Sequence, residues 1–423
     1  MTVDTHSPSI FDVALPTIAC QDAPNPDEAH RLIGQALAQA PIALGPYGPE
    51  VLAYDLVRTV LRDARFAMPK GVALQVQGMT NGPVWDRVTK TIVSLDGAEH
   101  QRLRRLVSKA FTPARVARLH GLIVEIITEL VDPVTDVGSC DIVADIARPY
   151  PIPIICALLG APREDWPLFS SWASDISKAF GVDVATDAPA IVRAWDALDA
   201  YVEDMIADRR RSLSDDLISD LIRAEADGGR LTHDELVSLA AILLNAGTDT
   251  TRNQLAAAVQ ALCEHPDQWA LLAEHPELAP TAVEELMRYS PAIFTTLRVA
   301  VEDVELAGIR IPAGAFVIAN TAAANRDPAV YDEPDRLDIT RQGPPPMLTF
   351  GGGVHYCLGS HLARLELAEA LRVLTHAMTN PRRTGPAPWK PILGLTGPTT
   401  LPIEFDATPG GYRRILASQR ISG

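Results

Sequence analysis

Phe350-Gly351-Gly352-Gly353-Val354-His355-Tyr356-Cys357-Leu358-Gly359 is the stretch on which the reading of this 423-residue chain turns. Three consecutive glycines reach backbone conformations closed to other residues and put no side chain in the way of a close-lying partner. A single cysteine follows, and an apolar-periodic segment then runs over residues 358–380 until Pro381 halts it. The periodicity predicts a helix with Cys357 at its N-terminus, where unpaired N–H groups and the positive dipole end favour a thiolate over a thiol. Flat room, close backbone approach and one anionic sulfur suit a large planar cofactor with an axial thiolate. Other readings start from the same residues. A lone cysteine is often a small buried hydrophobe. His355, Cys357 and His361 are zinc-ligand types, although structural zinc wants four ligands in paired spacing. A cysteine nucleophile with a histidine base is the third.

The interval F-x-x-G-x-x-x-C-x-G, met by Phe350, Gly353, Cys357 and Gly359, is more specific than these and resembles the haem-binding loop of the cytochrome P-450 family. The resemblance implies haem b (iron protoporphyrin IX) with Cys357 as its axial thiolate and metal ligand. It also implies a mainly α fold with a smaller β-region. In that fold the haem lies between a long distal helix and the helix that follows the cysteine.

Composition bounds the alternatives. Formal charge is 37 − 53 = −16, which argues against non-specific binding to nucleic acid or to an anionic membrane. No basic start with an apolar run marks a signal peptide, and no stretch approaches the length of a membrane span. Five scattered cysteines (Cys20, Cys140, Cys156, Cys263, Cys357) suggest reduced thiols. The expectation is a cytoplasmic, monomeric protein: a loosely held arm over residues 1–25, one domain over 26–407 and a tail over 408–423.

Working outward from the cysteine, residues 232–265 carry the next signal. Thr232 with Glu235 forms a capping box and opens a helical pattern that persists to His265, roughly 50 Å at 1.5 Å per residue. Ala246-Gly247-Thr248-Asp249-Thr250-Thr251 interrupts it with residues that weaken or bend a helix. A-G-x-D-T-T is similar to the distal oxygen groove of the family. Ala246 and Gly247 would then line the groove beside the cofactor, with Thr250 and Asp249 as the pair that delivers protons.

His100 and Arg104 are four apart on one helical face, where two donors can grip a carboxylate. The resemblance makes them anchors for the haem propionates, together with Arg298 and His355. Residues 99–118 hold six basic residues against one acid, a local +5 that suits docking of an acidic redox partner. Glu285 and Arg288 stand three apart, and the resemblance adds Arg336 to them as an ion-pair network that holds the cysteine loop. Residues 295–322 alternate like a small antiparallel sheet.

For the substrate pocket the resemblance points to the long interrupted segment 66–94 as a roof, with Val76, Met79 and Trp85. Phe180 joins from the lid region, Ile242, Asn245 and Ala246 from the distal helix, Phe294, Thr295 and Thr296 before the sheet, and Leu395 and Thr396 near the C-terminus. Asn245 is an amide where an apolar residue would pack, so it serves either a polar substrate group or a bond within the fold. The expected function is a haem-thiolate monooxygenase acting on a small apolar substrate (terpenoid, steroid, fatty-acyl or aromatic). It would use dioxygen and two electrons from NAD(P)H through a ferredoxin or flavodoxin and its reductase. Alternatives are a peroxygenase or oxidative coupling reaction on the same scaffold, and a haem-binding protein without turnover.

Overall fold

The computed structural model describes residues 7–407 apart from 73, 182, 228–230 and 344. From the N-terminus come α1 (Pro26–Leu37), the hairpin β1 (Ile42–Gly45) and β2 (Gly48–Val51), α2 (Tyr54–Arg62) and β3 (Phe66–Ala67). Helices α3 (Pro83–Val88), α4 (Gly97–Val107), α5 (Pro113–Ala117) and α6 (His120–Thr135) lead to β4 (Ser139–Asp141) and α7 (Pro151–Leu159). Next are α8 (Trp166–Ser177), α9 (Val184–Arg211), α10 (Leu217–Ala226), α11 (His233–Ala246), α12 (Asp249–Glu264), α13 (Pro266–Glu274) and α14 (Ala279–Tyr289). Strands β5 (Thr295–Ala300), β6 (Val304–Leu306), β7 (Ile309–Ile311) and β8 (Phe316–Asn320) precede α15 (Thr321–Ala324), α16 (Ser360–Ala377), β9 (Thr379–Arg383) and β10 (Pro402–Asp406). The fold is mainly helical with small sheets, as the resemblance implies.

The largest core joins α6, α7, α9, α11, α12, α14 and α16 through residues such as Ile127, Ile155, Leu198, Leu244, Leu255, Leu286 and Leu371. A second core lies under a five-stranded sheet of order β1-β2-β8-β5-β3. The sheet is mixed, since β2 runs parallel to β8 while the other neighbours are antiparallel. Glu50 lies within it, 3% exposed, and its carboxyl accepts from Asn320 Nδ2 at 3.0 Å.

Several expectations need correction. Residues 7–25 are not a loose arm: Ile10 and Ile18 are buried, and Ile10 N–H donates to the Arg310 carbonyl at 2.8 Å. The tail over 408–423 lies outside the described residues. The predicted single distal helix is two helices, of 14 and 16 residues, parted at Gly247-Thr248. Its capping box is present, with Thr232 N–H donating to Glu235 Oε2 at 2.8 Å. The cysteine-loop helix begins at Ser360, three residues after the cysteine, and stops at Ala377. Pro381 does not merely end it but sits in β9, which pairs with β10. Residues 142–159 are long and apolar enough to cross a membrane by length and composition, yet 67% of that stretch is buried inside the fold.

Candidate active site

A cavity of about 350 Å³ is lined by Ile242, Ala246, Gly247 and Thr250 of the broken distal helices and by Phe350, Gly351, His355, Cys357 and Gly359 of the cysteine loop. Gly247, at the parting of the distal helices, packs closely against α7. A Cβ there would stand 2.9 Å from Ile155 Cδ1, so any larger residue would push the Ile155 side chain of α7 aside. Thr248 Oγ1 donates to the Asn245 carbonyl at 2.8 Å and Thr250 Oγ1 to the Ala246 carbonyl at 3.0 Å, the backbone competition expected of threonines inside a helix. Asp249 lies one residue before the threonine. Its carboxylate is 3.3 Å from Arg252 Nη1 and 3.7 Å from Lys390 Nζ, a cation that no sequence spacing links to it.

Cys357 N–H donates to the Phe350 carbonyl at 2.9 Å, closing the loop on itself. Burial pushes the thiol up from its usual value; the Gly359 N–H and the charges of Arg104 and Arg364 pull it back. The helix itself begins only at Ser360, so Cys357 stands in the loop ahead of it and not on its first turn. The glycines of the loop also divide their work. At Gly353 φ is +64° and a Cβ would stand 2.6 Å from the Leu61 carbonyl oxygen of α2, so this glycine serves packing and does not line the cavity. Gly351 and Gly359 do line it, and at Gly359 no heavy atom beyond its chain neighbours lies within 4 Å of where its Cβ would be.

Around the same cavity stand His100, Arg104, Arg298 and His355. The imidazoles of His100 and His355 lie 4.2 Å apart, centroid to centroid. Burial lowers both from their usual value, His355 to about 4, with His100 and Arg298 adding to the effect at His355. Arg298 is 3% exposed, and burial pulls its guanidinium down to about 10. Asp96 is the nearby counter-charge. Burial alone would raise it, but N–H bonds from Met68 and Gly97 keep it below the usual range. His100 Nδ1 is buried without a hydrogen-bond partner, and His355 Nε2 meets only Asp96 Oδ2, at 3.6 Å. Buried donors with spare capacity, gathered on one rim, fit the two carboxylates of a haem edge. Among the described residues no group of three or more His, Cys, Asp or Glu is placed to hold a metal ion, so the zinc reading finds no ligand set.

The predicted pocket residues separate into two groups. Ile242, Ala246 and Thr296 line the cavity, whereas Val76, Met79, Trp85, Phe180, Phe294, Thr295, Leu395 and Thr396 do not. Met79, Trp85 and Phe180 pack against the main core, and Phe294 is fully buried beside His30. Asn245 turns away: its Nδ2 donates to the Ala173 carbonyl at 3.1 Å and to Ser177 Oγ at 3.3 Å on α8, so the amide serves the fold. Residues missed by the sequence reading include Ile92, Val93, Phe111, Ile155 and Ile293, which supply apolar lining, and Glu366, 1% exposed, which also borders the cavity. Burial holds the Glu366 carboxyl well above the usual range, with Thr251 opposing.

In the ion-pair network Arg288 forks onto Glu285 at 2.7 and 2.8 Å, both side chains nearly inaccessible. Arg336 is not its third member. That side chain is 60% exposed, pairs with Glu333 and Asp338, and lends only its carbonyl to Arg288. Arg341 takes the place, its Nε 3.2 Å from Glu285 Oε1 with the side chain 13% exposed. The basic run is also partly neutralised in space. Arg102 pairs with Glu235, Arg115 with Asp215 and Asp220, and Arg118 with Asp215, leaving Arg105 and Lys109 exposed. A larger groove of about 670 Å³ lies between α14, α16 and the coil around Pro345, away from Cys357, and its Glu284, Glu285, Arg341 and Arg364 pair among themselves.

A cavity that offers one sulfur from a glycine-rich loop and buried donors along one rim is built for a planar cofactor of the haem-thiolate class. Comparison with known proteins agrees. The family model "Cytochrome P450" matches residues 170–275 and 268–376. Luteothin monooxygenase of Streptomyces thioluteus is 38% identical over 379 residues, covering 89% of this chain and 92% of that one. Mycinamicin IV hydroxylase/epoxidase of Micromonospora griseorubida is 41% identical over 369 residues, 85% of this chain and 91% of its own length. The crystal structure of CalO2 superposes with a TM-score of 0.87 at 33% identity, covering 94% of this chain and all of that one. The chain belongs to the cytochrome P450 family and is a P450 monooxygenase.

Proposed function

We propose that this enzyme inserts one oxygen atom into a C–H bond of a small, predominantly apolar molecule, with haem b held by Cys357. The observation that carries the reading is that Cys357, Thr250 and the apolar groups Ile92, Val93, Phe111, Ile155, Ile242 and Ile293 border one cavity. When bound there, the haem supplies dioxygen activation, and the thiolate donates electron density that favours O–O cleavage. The balance is R–H, dioxygen, two electrons and two protons giving R–OH and water. A ferredoxin or flavodoxin fed by NAD(P)H delivers the electrons, with Arg105 and Lys109 as exposed cations for an acidic partner.

His100, Arg104, Arg298 and His355 hold the propionate edge, so the buried Arg298 guanidinium meets a carboxylate instead of remaining uncompensated, and the imidazoles serve as hydrogen-bond donors. Proton supply falls to Asp249 and Thr250. Asp249 is kept on station by Arg252 and Lys390, and rotation of its side chain carries a proton from the Lys390 side towards the cavity. Thr250 lines the cavity, and its hydroxyl would release the Ala246 carbonyl to hold and hand on a proton on the cavity side. Apolar walls exclude bulk water and orient substrate by shape, with Thr296 as a polar point of contact.

The test is the ferrous carbonyl spectrum of the purified protein. The expected outcome is the red-shifted Soret band of a thiolate ligand, lost in Cys357→Ser. A Cys357→Ser protein that kept the band would remove the assignment.

A further inference from the structure

Tyr356, the residue directly before Cys357, is held at both ends by guanidinium groups from different helices. Arg104 Nη2 of α4 donates to its carbonyl oxygen at 2.5 Å, and Arg364 Nη1 of α16 donates to its phenol oxygen at 3.2 Å. Arg364 is itself fixed. It grips Glu284 of α14 through Nε and Nη2, the latter at 3.1 Å, and its guanidinium lies 4.5 Å from the centroid of the Phe350 ring. Phe350 in turn accepts the Cys357 N–H through its carbonyl and stands 6.2 Å, centroid to centroid, from the Tyr356 ring. Tyr356 is 38% exposed and belongs to none of the buried apolar clusters, so core packing does not explain a large aromatic at this position.

The loop needs such posts. Gly351 and Gly353 adopt φ of +72° and +64°, and glycine segments lose the most conformational freedom on ordering. Few side chains in the loop can oppose that loss.

We propose that Tyr356 is a positioning residue for the reaction: clamped between Arg104 and Arg364, it fixes the peptide that carries Cys357 and so sets the direction of the sulfur into the cavity. The proposal rests on the reading of Cys357 as the axial ligand. The clamp makes three helices, α4, α14 and α16, share control of one side chain's aim. Neither arginine touches substrate in this role.

The holoenzyme tests it through Tyr356→Phe, which removes only the phenol contact, and Tyr356→Leu, which removes the ring as well. Amide exchange is read by mass spectrometry on the peptide over residues 353–359, and the ferrous carbonyl band is followed along a urea series. Expected is faster exchange in that peptide, about threefold for Tyr356→Phe and about tenfold for Tyr356→Leu, with other peptides unchanged. The thiolate band should give way to a short-wavelength form at urea concentrations where far-ultraviolet ellipticity is still native. Exchange in both variants within about twofold of the parent, with band loss tracking global unfolding as in the parent, would overturn the proposal. A parent protein with no thiolate band would fail earlier, sinking the ligand assignment and the clamp together. Should Tyr356→Leu not fold, Tyr356→Phe alone decides.

Discussion

Exchanging Arg341, the third member of the buried network, is the sharpest check on the tertiary reading. Arg341 donates to Glu285 through Nε at 3.2 Å, and through Nη1 and Nη2 to the carbonyls of Asp332, Glu333 and Arg336 at 2.7, 3.2 and 3.1 Å. A hydrogen bond to a charged group contributes roughly 1.5–3 kcal/mol. The three carbonyls belong to exposed residues and regain water when the guanidinium leaves. Glu285 keeps its fork with Arg288, so the cost of roughly 3–5 kcal/mol for stranding a buried charge is not incurred. Arg341→Ala should therefore cost about 2–3 kcal/mol. Arg336→Ala removes only a pair at 60% exposure and should cost about 0–1 kcal/mol. Urea unfolding followed by far-ultraviolet ellipticity measures both, provided the slopes agree. An Arg336→Ala midpoint as low as that of Arg341→Ala would refute the reasoning.

Thr250→Ala should divert reducing equivalents from product to hydrogen peroxide, read as the ratio of product to NAD(P)H consumed; an unchanged ratio would remove Thr250 from proton delivery. Glu50 is an acid whose folded value is pushed up to about 7 by burial, with Asn320 opposing, against an ordinary 4.5. Such a group leaves stability untouched below the ordinary value and lowers it as pH rises towards the folded value, by about 3 kcal/mol in all at 1.36 kcal/mol per unit. Glu50→Gln should thus flatten the loss of stability between about pH 5 and pH 8, and a slope equal to the parent's would contradict it. Gly353→Ala combines a left-handed φ with a contact of 2.6 Å to the Leu61 carbonyl, and should cost on the order of 2–4 kcal/mol in thermal or urea unfolding. A neutral result would return that glycine to the cavity.

Much of the site was legible because it is local. Phe350, Cys357 and Gly359 fall within ten residues, the capping box of Thr232 and Glu235 spans one turn, and His100 and Arg104 share a helical face by spacing alone. What escaped is what the chain brings together from a distance. Arg341, not Arg336, reaches Glu285, because the coil after Pro334 turns one side chain inward and leaves the other in water. Asn245 reads the same on paper whether it faces a ligand or α8, and only helix packing chose α8. Segment 66–94 does reach the cavity, but through Met68, Ile92 and Val93, while Met79 and Trp85 pack against the core.

By itself the sequence determined the cysteine, the weak point in the distal helix and the family to which both belong, because short-range spacing fixes backbone conformation and chemistry within a turn or a loop. Tertiary structure alone decided which cations meet which acids, where the distal helix parts, and which apolar residues border the cavity. Those choices are made by desolvation and close packing between segments tens to hundreds of residues apart, and neither leaves a periodic mark along the chain.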